Sequence, residues 1–280
     1  MITVLKGSGD QLEIGPDLPT RLIGERINPT GRKVLARSLR EGEFDFIERE
    51  AVSQVRQGAD IIDINVGTEG VDQKEVLPRA VERVAAAVDV PICLDTSDPK
   101  ALATALPACP GKPLVNSVNG EKKSLEAVLP LVAKHQAAVV ALAMDDEGIP
   151  RTAEGRLQVI RRIVEAAEHH GIPPEDVVVD CLAMAVSTDQ RAGLTTLDAI
   201  RMVREELGLN MTLGASNISF GLPQRHVLTG AFLVLAVNAG VNCPIVDPAQ
   251  TRQVVLAADL CLGRDDFAMR YLKGYRDSTA

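Results

Sequence analysis

Aromatic side chains are nearly missing: five Phe, two Tyr and no Trp in 280 residues. A core of this size must therefore come from Val, Leu, Ile and Ala, which the 46% hydrophobic content supplies. Cysteine occurs five times, at 93, 109, 181, 243 and 261, with no Cys-x-x-Cys pair. An odd, scattered set suits buried thiols in a reducing compartment and argues against a disulfide framework. The four histidines, at 135, 169, 170 and 226, offer no His-Glu-x-x-His or comparable spacing, so no zinc centre is expected. There is no long Lys/Arg cluster, and the formal net charge is −8, which argues against a nucleic-acid partner. No apolar run reaches the roughly 18 residues that would span a membrane. The opening Met1–Lys6 stretch is too short and too soon polar for a signal peptide, so the expected location is cytoplasmic.

What is present is a repeated grammar: an apolar run that ends in Asp, Asn or Ser, followed by a helical period. Strand-like runs fall at 22–24, 60–67, 90–94, 113–115, 137–143, 177–179, 211–213 and 243–246. Helical patterns follow at 44–57, 74–88, 99–106, 124–135, 152–169, 195–207, 223–238 and 253–262. Asp98 and Pro99 suit the cap and first position of one of them. Residues 185–194 read as a long loop after the sixth strand. Strict alternation implies a parallel sheet with right-handed crossovers. Eight such units in about 240 residues fit a closed (β/α)8 TIM barrel, with residues 1–280 as one domain. An open nucleotide-binding sheet would carry a Gly-rich loop after its first strand. Here that loop is Glu-Arg-Ile-Asn-Pro-Thr-Gly (25–31).

A barrel gathers its C-terminal strand ends on one face. Those ends supply Glu25, Asn28, Asp63, Asn65, Asp95, Asn116, Ser117, Asp145, Asp180, Ser216, Asn217 and Asp247. Histidine, cysteine and lysine are missing from the set, which excludes a serine or thiol triad and Schiff-base chemistry. A carboxylate metal site stays open on composition alone. Carboxylates and amides also match a flat heterocycle with several N–H donors and carbonyl acceptors. A 2-amino-4-oxo pyrimidine ring fits, because one Asp can take paired hydrogen bonds from a ring N–H and an exocyclic amine.

Five motifs occur in order: Ile-Gly-Glu-Arg-Ile-Asn-Pro-Thr-Gly (23–31), Asp-Ile-Asn-Val-Gly (63–67), Leu-Asp-Thr (94–96), Asn-Ser-Val-Asn-Gly (116–120) and Gly-Ala-Ser-Asn-Ile-Ser-Phe-Gly-Leu-Pro (214–223). Together they resemble the methyltetrahydrofolate-dependent corrinoid methyltransferases over nearly the whole chain. That resemblance implies a pterin-binding barrel in which Asp95, Asn116 and Asp180 hold the pterin ring. Gly214, Ser216 and Asn217 then lie beside its reactive part, with Asn217 hydrogen-bonded to the methyl-bearing N5 nitrogen. Glu25, Asn28, Asp63 and Met144 are further candidates for substrate contact. Relatives often carry a proline-containing stretch after strand six, where this chain has Cys181-Leu182-Ala183-Met184-Ala185.

The implied reaction moves a methyl group between N5 of (methyl)tetrahydrofolate and the cobalt of a corrinoid. No Asp-x-His-x-x-Gly motif for a corrinoid ligand occurs, so the corrinoid is expected on a separate protein docking over the barrel mouth. A homodimer is also implied. Two alternatives stand beside this reading: a dihydropteroate synthase-like pterin enzyme and a folate-binding protein without catalysis. The first would need Asn-Val-Thr-Pro-Asp-Ser after strand one and a lysine near the seventh loop, and neither is present. Bland roles compete at single residues. Asp63 and Asn65 could brace Arg26, Glu25 and Arg26 could form a structural pair, and His226 could be structural. Arg32 and Lys33 are candidates for the folate glutamate tail.

Overall fold

A computed structural model describes residues 1–279. Eight parallel strands form its centre: β3 (Ile23–Ile27), β4 (Ile61–Ile64), β5 (Ile92–Asp95), β6 (Leu114–Asn119), β7 (Ala138–Leu142), β8 (Val177–Asp180), β9 (Asn210–Thr212) and β10 (Ile245–Val246). They pair in the order β10-β3-β4-β5-β6-β7-β8-β9. The backbone N–H groups of Cys243 and Ile245 donate to the carbonyls of Met211 and Leu213 at 3.0 and 2.9 Å, which closes the ring. The chain folds as the expected (β/α)8 barrel.

Preceding the barrel is an antiparallel hairpin, β1 (Thr3–Lys6) and β2 (Gln11–Ile14), which the strand pattern did not reveal. Its Leu5 and Ile14 are fully buried against Ile23, Ile61, Cys93 and Leu114, residues at the starts of the barrel strands. The hairpin thus plugs the end opposite the strand C-termini, the end where a barrel invests in stability.

Around the strands lie α1 (Lys33–Glu41), α2 (Asp45–Arg56), α3 (Gln73–Ala87), α4 (Pro99–Ala105), α5 (Lys122–His135), α6 (Ala153–His169), α7 (Ala192–Glu206), α8 (Arg225–Ala239), α9 (Pro248–Cys261) and α10 (Met269–Thr279). Their apolar stripes, such as Leu157, Ile160 and Ile163 of α6, pack on the outward side chains of the strands, while Leu233 and Val237 of α8 and Val255 and Ala258 of α9 form a smaller cluster against Leu22 and Val246. Asp98 caps α4 by accepting from Lys100 N at 2.8 Å, with Pro99 opening the helix as expected.

Three readings need correction. The stretch 185–194 is not all loop, because α7 begins at Ala192, where Thr196 and Leu197 turn inward. The closing helix starts at Pro248 rather than 253, since Asp247 caps it by accepting from Ala249 N at 3.1 Å. Helices α1 and α10 were not anticipated. Both are rich in charged residues, which masks a real period in α1, where Leu35, Ala36 and Leu39 share one buried face.

Candidate active site

Two adjoining cavities occupy the C-terminal face, of about 620 Å3 and 470 Å3. Asp95 and Asn116 line both and form the wall between them. The larger is bounded by Glu25, Asn28, Asp63, Gly214, Ser216 and Asn217, and the smaller by Ser117, Asn119 and Met144. Volumes of this order suit a small-molecule ligand. A third cavity, about 670 Å3, lies between α1, α2 and α3, away from the strand ends, and mixes Arg37, Arg79 and Arg83 with Glu43, Asp45 and Glu82.

The mouth is built from backbone irregularities. Pairing of β3 with β4 slips between Gly24 and Ile27, and pairing of β6 with β7 slips between Val115 and Val118. Such bulges re-aim side chains. The slipped segments contain Glu25 and Arg26 on one side, and Asn116 and Ser117 on the other. Gly24 has a local cause: a Cβ there would come within 2.5 Å of Gln54 Oε1. Gln54 is fully buried on α2, and the same oxygen accepts from Arg26 N at 2.9 Å. A glycine in the opening motif therefore lets α2 reach in and fix the strand end.

Polar groups on the floor hold one another. Asn65 Nδ2 donates to Asp95 Oδ2 at 2.9 Å, and Asn65 Oδ1 accepts from Gly67 N at 2.8 Å. Asn116 Nδ2 donates to Asp63 Oδ1 at 3.4 Å. Burial raises the Asp63 carboxyl well above the usual carboxylate range, and the neighbouring Asp95 charge raises it further. Asp95 is also raised by burial, opposed by its bond from Asn65. One negative charge is therefore easily carried between these two groups, and a second is costly.

Asp180 ends β8 almost fully buried, at 6% exposure. It accepts from Leu182 N at 2.7 Å and from the backbone N–H of Gly214, so it ties β8 to the loop after β9. Burial pushes its carboxyl up to about 6 despite those bonds. Leu182 takes a left-handed φ of 62°, and the carbonyls of Cys181 and Leu182 each accept from Arg156 Nη1 at 2.8 Å. Arg156, from α6, is 3% exposed and also donates to Pro150 O at 3.1 Å and Thr196 Oγ1 at 3.0 Å. Strand-end reasoning missed Arg156 because it lies within a helix.

Asn217 sits in a 3₁₀ turn, Ala215–Ser219, and its side chain is exposed at the mouth. A Cβ on Gly214 would come within 3.1 Å of Asn217 Nδ2, so the glycine lets that amide lie over the backbone. Arg225 Nη2 donates to Ser216 O at 2.9 Å, and Arg225 Nε to Ser219 Oγ at 3.1 Å, bracing the turn from α8.

Several bland assignments change. Arg26 does not pair with Glu25; its Nε lies 3.8 Å from Glu50 and 3.7 Å from Asp247. Glu25 instead meets Ser216. Asn65 braces Asp95 rather than Arg26. Asp145 belongs to a turn and pairs with Arg162. His226 lines the larger cavity, which its position on a helix had concealed. Arg32 lines that cavity too and pairs with Glu50 at 2.9 Å, whereas Lys33 is exposed on α1.

A closed barrel whose mouth presents carboxylates and amides, with Arg26, Arg32 and Arg225 among the lining of the larger cavity, suits a hydrogen-bonding heterocycle. The chain belongs to the pterin binding enzyme family, whose match spans residues 24–247, and within it to the methyltetrahydrofolate-dependent corrinoid methyltransferases. It is 33% identical over 260 residues to methylcorrinoid:tetrahydrofolate methyltransferase of Eubacterium limosum, covering 91% of this chain and 96% of that one. Methionine synthase of Mycobacterium leprae is 34% identical over 241 residues, covering 80% of this chain but 20% of that protein. Among solved structures, Yersinia pestis DHPS superposes with a TM-score of 0.73 at 17% identity, covering 93% of this chain and 99% of that one. Dihydropteroate synthase of Stenotrophomonas maltophilia superposes at 0.70 with 20% identity, covering 93% and 98%. At those identities the likeness speaks for the fold alone.

Proposed function

We propose that this protein, acting as one catalytic domain, transfers a methyl group between N5 of (methyl)tetrahydrofolate and the cobalt of a corrinoid held by a separate protein. The observation that carries the reading is the convergence of Asp95, Asn116 and Asn217 on the mouth cavities, with Asp180 buried at the end of β8, in a chain that matches a methylcorrinoid:tetrahydrofolate methyltransferase along nearly its whole length. Asp95 and Asp180 accept the ring N–H groups of the pterin, and Asn116, which can donate and accept, meets its remaining heteroatoms. Met144 and Asn28 form walls of the two cavities, and Asp63 supports Asn116 from below.

Asn217 reaches the N5 nitrogen from the exposed turn. As a neutral amide it follows the change in charge at nitrogen without titrating, which is positional and electrostatic catalysis. The corrinoid supplies the cobalt that takes or gives the methyl group. Its carrier docks over the mouth, where exposed Phe220 and Met184 stand on loops joined by the bond from Val186 N to Ile218 O. No helix among the described residues is long and apolar enough to cross a membrane, and a cytoplasmic location is part of the proposal.

Isothermal titration of tetrahydrofolate and methyltetrahydrofolate tests the site. Wild type binds both and Asp95→Ala binds neither; binding of neither by wild type would remove the folate assignment. We further propose a homodimer through α8, whose outer face exposes Val227, Val234 and Leu235. Sedimentation of the wild type should give twice the monomer mass, and a single-chain mass would exclude that interface.

A further inference from the structure

Methyl transfer at a nitrogen has a proton to account for. Tetrahydrofolate carries N–H at N5 and methyltetrahydrofolate does not, so each turnover releases or takes up one proton there. Asn217 cannot hold it, because an amide does not titrate in water's neutral range. Asp95 and Asp180 are committed, one to Asn65 and the other to two backbone N–H groups.

Glu25 is uncommitted. It stands in the slipped segment of β3, on the side of the mouth next to β10 rather than among the pterin-holding strands. Its two carboxylate oxygens lie 3.3 and 3.4 Å from the Ser216 hydroxyl, the residue before Asn217. Glu25, Ser216 and Asn217 line one cavity. We propose that Glu25 is the group that exchanges the substrate amine's proton, through the hydroxyl of Ser216. The inference rests on the methyl-transfer reading above.

In the direction toward folate, the nitrogen lone pair forms the new bond to the methyl carbon. The bond from that carbon to cobalt breaks with its electron pair left on the corrinoid. The N–H proton passes to Ser216 Oγ as the Ser216 proton passes to Glu25. In the reverse direction the N–C bond breaks with its pair kept on nitrogen, and Glu25 returns the proton by the same route.

The surroundings suit this duty. Burial holds the Glu25 carboxyl at about 7, with the bond from Ser216 opposing and the Asp247 charge assisting; Arg26 and Arg225 oppose from β3 and α8. Asp63 of β4 also faces it, and His226 of α8 lines the same cavity. A carboxyl titrating near neutrality can both accept and return a proton without a large free-energy step.

The test compares wild type, Glu25→Gln, Glu25→Asp and Ser216→Ala in three measurements: folate binding by calorimetry, single-turnover methyl transfer from free methylcobalamin across the neutral pH range, and infrared titration of the free protein. Glu25→Gln should bind both folates as wild type does. Its transfer should be slower by about 100-fold or more, with the neutral break in the pH profile gone. Ser216→Ala should lose most of the rate, and Glu25→Asp should keep the break at reduced rate. The infrared difference between wild type and Glu25→Gln should isolate one protonated carboxyl band, separate from that of Asp180, which disappears as pH rises through about 7. Glu25→Gln that keeps both the rate and the pH break overturns the proposal, as does a loss of folate binding in that variant. Wild type that binds no folate overturns the functional reading beneath it, a distinct result.

Discussion

Glu25 makes the conflict between stability and function visible at a single residue. Its carboxyl is raised from 4.5 to about 7, chiefly by burial. Between those values the folded protein keeps a proton that the unfolded chain has released. Stability therefore falls as pH rises through that window and levels off above it. Replacing Glu25 with Gln removes this loss. Chemical denaturation should find the variant more stable than wild type at pH 8, by about 2–3 kcal/mol, and no different near pH 4. Equal stability at both pH values would mean that Glu25 is not strained by its site. At this scale the sequence was informative where chemistry and position coincided. Asp95, Asn116 and Ser216 could be picked out because each is a polar residue closing an apolar run. The partner of Glu25 could not be read, since Ser216 lies 191 residues away and meets it only through ring closure.

Elements carry the geometry that single residues need. Each slipped strand, β3 and β6, places two polar side chains at the mouth, and each slip is a property of backbone pairing that no residue pattern announces. The helices were legible because Val, Leu, Ile and Ala recur at helical spacing. Their inward polar exceptions were not. Gln54 of α2 and Arg156 of α6 lie on those helices, yet each reaches a strand end and fixes it. Arg156 is the more demanding case, since it donates to the Cys181 carbonyl and shares the Leu182 carbonyl with Thr196 Oγ1 in the turn that follows Asp180. Arg156→Met removes the bond to the Cys181 carbonyl and leaves the Leu182 carbonyl with Thr196 alone. It should cost on the order of 3–5 kcal/mol in equilibrium unfolding and weaken folate binding, while Arg156→Lys, with one charged nitrogen in place of a planar fork, should restore only part. Unchanged unfolding in Arg156→Met would show that the turn holds itself.

The whole molecule is a ring that must close before its site exists. Asp259, fully buried on α9, accepts from Thr20 N at 2.8 Å and Thr20 Oγ1 at 2.7 Å, and from Arg270 at 3.0 Å. The segment leading into the first barrel strand is thereby fastened to the last helices. The β1–β2 hairpin fills the opposite end. Alternation along the chain was enough to infer the barrel, because eight strand–helix units leave few other topologies. The hairpin and the Asp259 anchor escaped that reasoning, since strands of four residues are too short to stand out and one buried Asp carries no periodic signal. Closure at this scale brings Glu25 of β3 beside Ser216 in the loop after β9. The most direct test of the account is single-turnover methyl transfer between methyltetrahydrofolate and reduced cobalamin, followed by the cobalamin absorbance, for wild type and Asn217→Ala. Wild type should transfer the methyl group, and Asn217→Ala should bind folate yet transfer about 100- to 1,000-fold more slowly. Folate binding without any methyl transfer by wild type, with free or protein-bound corrinoid, would contradict the account and leave a folate-binding barrel without this chemistry.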